Sequence, residues 1–181
     1  MSKITAKQLV FSAMALALAT VIATTIKLPS LPFGGSISLF SMLVICLVGF
    51  WYGPKIGLIT SFTYGILQFI TGPYVVHPIQ ILLDFPLAFG ALGLSGFFYE
   101  KKHGLIKGYL CGVTGRLVFH SICGAIFYTT YVDALSDNLA ALWAGIVYNM
   151  SYIVPEAIMT LILLSLPPVQ KMMVNLKKMA V

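Results

Sequence analysis

The segment that decides the fold lies in the middle of the chain, where residues 77–98 read HPIQILLDFPLAFGALGLSGFF. A helix needs about 20 consecutive, mostly apolar residues to cross the hydrocarbon core of a bilayer. This stretch has that length and carries a single formally charged residue, Asp84. It therefore predicts a membrane-spanning helix, and because a charge inside a bilayer is costly, Asp84 is a candidate functional residue.

The composition of the whole chain extends this prediction to the complete protein. Of 181 residues, 59% are hydrophobic and only 9% are charged, whereas about a quarter of the residues of a soluble domain are charged. The net charge is +6, but the basic residues are spread among short loops, which argues against a nucleic-acid-binding face. We predict an all-α membrane protein with the lipid bilayer as its surroundings.

Six spans can be placed along the chain, and they form one transmembrane domain over residues 1–181. Their predicted bounds are 7–28, 37–52, 55–72, 77–98, 104–131 and 140–166, followed by a basic tail. An even number of spans puts both termini on one side of the membrane. The loops and ends on that side carry Lys3, Lys7, Lys55, Lys101, Lys102, Lys107, Lys171, Lys177 and Lys178, against Lys27 on the other side. The positive-inside rule then predicts cytoplasmic termini in a bacterial inner membrane.

Three features of the first two spans bear on function. The first span begins with lysines and an apolar run, as signal peptides do, but its length predicts a mature helix. Its small residues Ala13 and Ala17, spaced by one helical turn, would let another helix approach closely, which suits docking of a partner subunit. Residues 29–36 join spans 1 and 2, and Gly34 and Gly35 would allow this outer loop to move as a lid.

The ionisable residues inside the spans fall into two layers. With a rise of about 1.5 Å per residue, Asp84 lies roughly 10 Å and His120 roughly 16 Å below the outer surface. The same rise puts Arg116 and Glu156 at about 22–24 Å. The deeper two residues are predicted to form a buried structural ion pair. A competing arrangement pairs Asp84 with Arg116.

The upper layer predicts a cationic ligand. It holds the Asp84 carboxylate, the His120 imidazole and the Asn149 amide, with no basic side chain at its level. An isolated buried carboxylate tends to be protonated unless a positive charge accompanies it. In either pairing of Arg116, one net negative charge remains, and a ligand cation would neutralise it.

Polar and aromatic side chains surround this layer. Gln80 lies one helical turn from Asp84, and Tyr148 shares a broad stripe of the last span with Asn149. Tyr74 and Tyr128 lie near the outer mouth, where aromatic rings also occur simply as membrane-interface residues. A flat cation gains from ring faces and from a counter-ion together.

Two prolines inside the spans predict irregular backbone near the acids. Pro86 follows Asp84 and Pro155 precedes Glu156, and each removes one helical hydrogen bond. The carbonyl groups freed in this way, of Leu82 and Ser151, are tolerated in a membrane where they line a cavity or find a partner.

The sequence gives little support to an enzyme. Residues 93–96 match the GxSG pattern of intramembrane serine proteases, but Ser95 lies about 27 Å deep, well below His120. A nucleophile and its base must come within hydrogen-bonding reach. No P-loop is present, so no ATP is predicted to bind, and the three cysteines are in apolar spans at spacings that fit no metal site.

At this point the residues resemble a known family. The stretch Val76–Phe89 is similar to the fourth helix of the thiamine-specific substrate-binding subunits of energy-coupling factor transporters. Pro32–Ser36, the run Arg116–Phe127 and the segment Tyr148–Tyr152 with Pro155 and Glu156 also resemble that family. The resemblance covers nearly the whole chain in order. It implies a six-helix bundle without enzymatic activity or cofactor.

The resemblance also implies roles for single residues. Asp84 would face the thiamine cation, His120 and Tyr128 would contact the thiazolium ring, and Asn149 would bind the aminopyrimidine. Tyr74 is similar to a site tyrosine. Ala13 and Ala17 match an alanine motif that docks a transmembrane coupling subunit, which works with two ATP-binding subunits.

Two alternatives stay open from the sequence. One is a capture subunit for a thiamine precursor or a related pyrimidine. The other, of a different class, is a stand-alone transporter or channel that moves its substrate without partner subunits.

Overall fold

The computed structural model describes residues 4–26, 31, 35–72, 75, 77–131 and 138–181, without the side chains of 128–131, 138 and 141. The predicted all-α class is confirmed for these residues. Seven helices follow one another: α1 (Ala6–Thr25), α2 (Ser41–Tyr52), α3 (Pro54–Ile70), α4 (Pro78–Phe98), α5 (Gly104–Tyr131), α6 (Asn138–Ser165) and α7 (Pro167–Ala180).

Four of these helices, α1, α4, α5 and α6, include stretches long and apolar enough to cross a membrane. Large apolar side chains point outward along them, among them Leu9 and Met14 of α1, Ile126 of α5, and Trp143 and Val147 of α6. Such surfaces suit lipid rather than water, because lipid places no cost on exposed apolar groups. The outward faces and the helix lengths therefore agree with a membrane environment.

The second predicted span differs from the structure at its start. Helix α2 begins at Ser41 rather than at residue 37, and its N-cap residue Phe40 has a left-handed backbone with a φ of 67°. Twelve residues of helix cover only about 18 Å, less than a bilayer core. The residues before it, 35–40, run non-helically beside the interior of the protein. Non-helical backbone survives at membrane depth where protein groups satisfy it.

Helix α4 is irregular around its proline. Residues Leu83–Leu87 form a π-helical turn that contains both Asp84 and Pro86, and Ala91–Phe98 continue as a 3₁₀-helix. Pro86 has no N–H to donate, and the backbone N–H of Ala88 reaches back to the carbonyl of Leu83. Single π-turns occur often at functional sites, and this one carries the membrane carboxylate. Pro155, in contrast, lies within an uninterrupted α6.

The C-terminal residues form a helix where the sequence predicted only a basic tail. One face of α7 packs on the body of the protein: Met173 and Ala180 are buried, and the Tyr52 hydroxyl donates to the Ala180 carbonyl at 3.0 Å. The Lys177 ammonium lies 4.1 Å from the centre of the Phe50 ring. Helix α7 is amphipathic, with Lys171 exposed on its outer side. Because its lysines stand out in the composition, the sequence suggested only a basic tail.

Glycines allow α2, α3 and α4 to pack with their backbones in contact. A Cβ placed on Gly57 would lie 2.7 Å from the Cα of Gly49, and one on Gly93 would lie 2.6 Å from the Cα of Leu58. Close approach of this kind is a general means of helix association in membranes. It fixes α4, and with it Asp84, against the neighbouring helices.

We expect Gly93→Ala to destabilise the protein strongly, because its methyl group would collide with the backbone of α3. Gly90→Ala is the matched control on the same helix, since its Cβ would meet nothing closer than 3.7 Å, on the Phe62 ring. Overpacking of this kind lowers the free energy of unfolding by about 1–3 kcal/mol. Thermal unfolding in detergent should therefore show a clearly lower Tm for Gly93→Ala. Equal Tm values for the two variants would contradict the packing described.

Candidate functional site

Helices α1, α3, α4, α5 and α6 and the segment 35–38 surround a cavity of about 160 Å³. Five of the predicted ligand residues line it: Gln80, Asp84, His120, Tyr148 and Asn149. The predicted Tyr74 and Gly34 lie outside the described residues, and of Tyr128 only the backbone is described, within α5. The structure therefore brings residues far apart in the sequence to one interior space.

A chain of hydrogen bonds runs through the centre of the cavity wall. The Arg116 Nε–H donates to His120 Nε2 at 3.2 Å, and His120 Nδ1 lies 2.8 Å from Asp84 Oδ1. A guanidinium can only donate, so Nε2 accepts and the imidazole proton is on Nδ1. The histidine is thereby held as a neutral ring that donates to the carboxylate, and these two hydrogen bonds fix its tautomer.

The charge of Asp84 therefore has no cation in direct contact among the described side chains. Besides His120, its partners are Gln80, whose Nε2 donates to Asp84 Oδ2 at 3.2 Å, and the Cys123 thiol. All three donors are neutral. About a fifth of the Asp84 side chain stays exposed, so the carboxylate faces the cavity with its negative charge available.

The predicted ion pair between Arg116 and Glu156 is not formed, and this prediction was wrong. In the described part of the chain, no lysine or arginine nitrogen lies within salt-bridge distance of a carboxylate, and the contact found is the hydrogen bond between the neutral His120 ring and Asp84. The Arg116 guanidinium is directed instead at His120 and at the Phe89 ring. The Arg116 Cζ atom lies 4.3 Å from the centre of that ring. Helix depth alone could not show this, because it does not fix which way a helix is rotated. The competing pairing of Asp84 with Arg116 exists only through the imidazole.

Glu156 holds the non-helical segment before α2. Its carboxylate accepts hydrogen bonds from the backbone N–H of Ser38 at 3.2 Å and of Met42 at 3.4 Å, and from the hydroxyls of Ser38 and Ser41. The residue is 1% exposed. Hydrogen bonds from several donors stabilise a buried carboxylate, and here they supply partners for N–H groups at the helix start that lack one within α2.

Asn149 ties α5 to α6. Its amide nitrogen donates to the carbonyls of His120 at 3.1 Å and Gly145 at 2.9 Å, and its oxygen accepts from the Tyr152 hydroxyl at 2.6 Å. Gly145 packs directly on Gly124 of α5. An amide has two donor hydrogens and two acceptor lone pairs. Both donors are in use, so only the oxygen has capacity left for a ligand.

The segment before α2 closes part of the cavity by contact with α6. The Gly35 N–H donates to the Tyr148 hydroxyl oxygen at 2.9 Å. A Cβ on Gly35 would lie only 2.6 Å from that oxygen and 3.0 Å from the Tyr152 ring. Glycine is required here by the closeness of the two rings, a reason that differs from the hinge freedom the sequence suggested.

The aromatic surroundings were predicted only in part. His120 is edge-on to the rings of Phe89 and Tyr152, at 6.0 and 6.4 Å between centres. Sequence reasoning missed the contribution of α3, which brings Tyr64 and Gln68 into the cavity wall. Gln68 could have been noticed as an amide in an otherwise apolar span.

The described residues give no catalytic arrangement around Ser95 and no metal site. The Ser95 hydroxyl donates to the Cys46 carbonyl at 3.0 Å, within a buried contact between α4 and α2. No cluster of three or more His, Cys, Asp or Glu residues occurs in this part of the chain. Among the described residues that line the cavity, Asp84 carries the carboxylate and Arg116 carries the guanidinium.

Comparisons with known proteins identify the family of this chain. A family model described as thiamine transporter protein (Thia_YuaJ) matches residues 9–176. Thiamine transporter ThiT of Bacillus subtilis is 33% identical over 152 residues, which are 76% of this chain and 77% of that protein. A solved structure of ThiT from Listeria monocytogenes superimposes with a TM-score of 0.67 at 22% identity, over 89% of this chain and 94% of that one, and so has the same fold. The predicted family relationship is thus confirmed, and the chain belongs to the thiamine transporter protein family, as a multi-pass membrane protein without an enzymatic role.

Proposed function

We propose that this chain captures thiamine from outside the cell as the substrate-binding subunit of an energy-coupling factor transporter. The observation that carries the proposal is the Asp84 carboxylate, which faces an interior cavity with only neutral donors in contact. Thiamine has a permanently charged thiazolium ring and a flat aminopyrimidine. The thiazolium cation would neutralise Asp84. The names of the matching family and of the relative in Bacillus subtilis point to the same ligand.

The other site residues receive complementary roles in this proposal. His120 would contact the thiazolium ring, and Tyr128 is assigned to the same ring by the family resemblance. The remaining lone pair of the Asn149 oxygen would accept from the aminopyrimidine amino group. Tyr74, Tyr148 and Gln80 would complete the walls. An anionic vitamin would be repelled by the same carboxylate.

The proposed topology is one domain of six spans, α1 to α6, with both termini in the cytoplasm. The positive-inside rule supports it, because Lys55, Lys101, Lys102 and Lys107 all lie in connections or helix starts on the same side as α7. The cavity then opens toward the outside, where the segment that begins at Gly35 lines it; the predicted lid residue Gly34 would extend this cover.

Docking of partner subunits is proposed for one face of α1. Ala13 and Ala17 point outward and are exposed, whereas Ala15 and Ala19 are buried against the rest of the protein. The exposed pair leaves a smooth groove for a helix of the coupling subunit. The chain would bind no cofactor, and ATP would be used by two ATP-binding partner subunits.

Replacement of Asp84 tests the ligand. We expect Asp84→Asn to weaken thiamine binding roughly 100-fold, because removing one partner of a buried charge pair costs about 2–5 kcal/mol. Isothermal titration of purified protein in detergent measures the Kd. Asp84→Glu should retain most affinity, and Glu100→Gln, an exposed carboxylate at the far end of α4, should change nothing. Equal affinity of Asp84→Asn and the native protein would contradict the proposal. Tighter binding of the isolated hydroxymethylpyrimidine than of thiamine would favour a precursor instead.

Removal of the Tyr148 hydroxyl tests the lid. Tyr148→Phe deletes the oxygen that accepts from the Gly35 N–H, so the segment should open more often. Hydrogen exchange of the ligand-free protein should become severalfold faster at residues 35–37, before the Ser38 N–H that Glu156 holds. Tyr99→Phe, at the opposite end of α4, is the control. An unchanged exchange rate would show that the hydroxyl does not hold this segment.

Enlarging the α1 face tests the partner. The double variant Ala13→Leu, Ala17→Leu should bind thiamine normally but fail to co-purify with the coupling and ATP-binding subunits. Thr114→Leu, an exposed position on α5, controls for a larger side chain in lipid. Proteoliposomes that contain this chain alone should bind thiamine without ATP-dependent uptake. Normal assembly of the Ala13→Leu, Ala17→Leu variant would argue against docking on α1. Thiamine uptake by this chain without partners would favour a stand-alone transporter.

A further inference from the structure

One polar group in the cavity wall has no role so far. The side-chain amide nitrogen of Gln68 is buried and has no hydrogen-bond partner among the described residues. The residue lies near the end of α3 and lines the cavity. Buried polar groups are almost always paired, so an unpaired one requires an explanation.

The other glutamines of the chain make hydrogen bonds. Gln80 donates to Asp84, Gln170 donates to the carbonyls at the end of α6, and Gln8 accepts from the backbone of Thr5 at the start of α1. Gln68 therefore differs from Gln80 and Gln170 in the state of its donor.

Several other side-chain donors of the cavity wall are committed to protein groups. The Gln80 and Asn149 amide nitrogens are committed to protein oxygens, and the His120 N–H is committed to Asp84. The Tyr152 hydroxyl donates to Asn149, and the Thr71 hydroxyl donates to the Gln68 carbonyl. Among the side-chain amides that line the cavity, Gln68 supplies the uncommitted donor.

Its position is fixed by the packing of α3 on α4. One turn before Gln68, Gly65 lies directly against the Phe85 carbonyl and Pro86, within the turn that carries Asp84. One residue after Gln68, the Phe69 ring packs edge-on against Phe85 at 5.5 Å between centres. The donor is thus held on the α3 side of the same cavity that exposes the carboxylate.

We propose that Gln68 is a specificity-determining residue that donates a hydrogen bond to an acceptor atom of the ligand. This inference rests on the proposed function and deepens it. A cation alone would need only Asp84. A heteroaromatic cation that also carries ring nitrogens or a hydroxyl oxygen presents acceptors, and an uncommitted amide N–H recognises such an atom. Ligands of equal charge that lack the acceptor would be rejected, because the buried donor would stay unpaired.

The test uses Gln68→Met, which keeps the length of the side chain and removes the donor, and Gln68→Leu as a second variant. We expect the thiamine Kd to rise about tenfold. The Tm of the ligand-free protein should be unchanged or higher, because the substitution removes an unsatisfied buried donor. These opposite directions separate a ligand contact from a structural role, which would lower the Tm.

The outcomes distinguish the two proposals. No thiamine binding by the native protein would overturn the proposed function itself. Native binding with an unchanged Kd in both variants, or a higher Kd accompanied by a lower Tm, would overturn only the role of Gln68. Titrations with hydroxymethylpyrimidine and with the thiazolium alcohol then locate the acceptor, since only the fragment that contains it should lose affinity in Gln68→Met. If neither fragment lost affinity in Gln68→Met, the proposed hydrogen bond would be contradicted.

Discussion

The structure depends on a carboxylate that is kept in a membrane interior without a cation beside it. Asp84 is held by neutral donors, and the nearest guanidinium, Arg116, reaches it only through His120. A direct Arg–Asp contact would cancel the charge and fill the cavity. The interposed imidazole instead passes on polarisation while leaving the carboxylate able to attract a positive ligand. Electrostatic preference and an open cavity are thus obtained from the same three side chains.

The rest of the protein keeps this arrangement in position. The π-turn of α4 presents Asp84, and backbone contacts through Gly57 and Gly93 fix α4 against α3. On the opposite wall, Asn149 joins α5 to α6 through the carbonyl of His120 itself. The residue that was predicted to touch the ligand therefore also holds the histidine helix in place, so its substitution would disturb binding by two routes.

Much of this could be predicted from the sequence, since polar residues are few in the spans and each one stands out. The all-α class, the family and five residues of the cavity wall followed from spacing, depth and resemblance. The pairings did not, because depth along a helix says nothing about its rotation, and Arg116 turned toward His120 rather than Glu156. The start of α2 was misplaced because residues 37–40 are mostly apolar and look helical. Their non-helical path depends on Glu156, which is more than 100 positions away. Gln68 was missed because the sequence does not show that α3 contributes to the cavity wall.

The role of Glu156 also limits how the cavity can open. Its carboxylate holds the backbone of Ser38 and Met42 with buried hydrogen bonds, so this part of the segment would have to leave a charged group unpaired in order to move. Gly35, by comparison, is held by one neutral hydrogen bond to Tyr148, which contributes about 1 kcal/mol. In the lid that we propose, Gly35 would therefore be at the end that opens, and Ser38 at the end that stays anchored. A ligand that contacts Tyr148 would therefore act on the weakly held end, while the Glu156 anchor and the start of α2 stay in place.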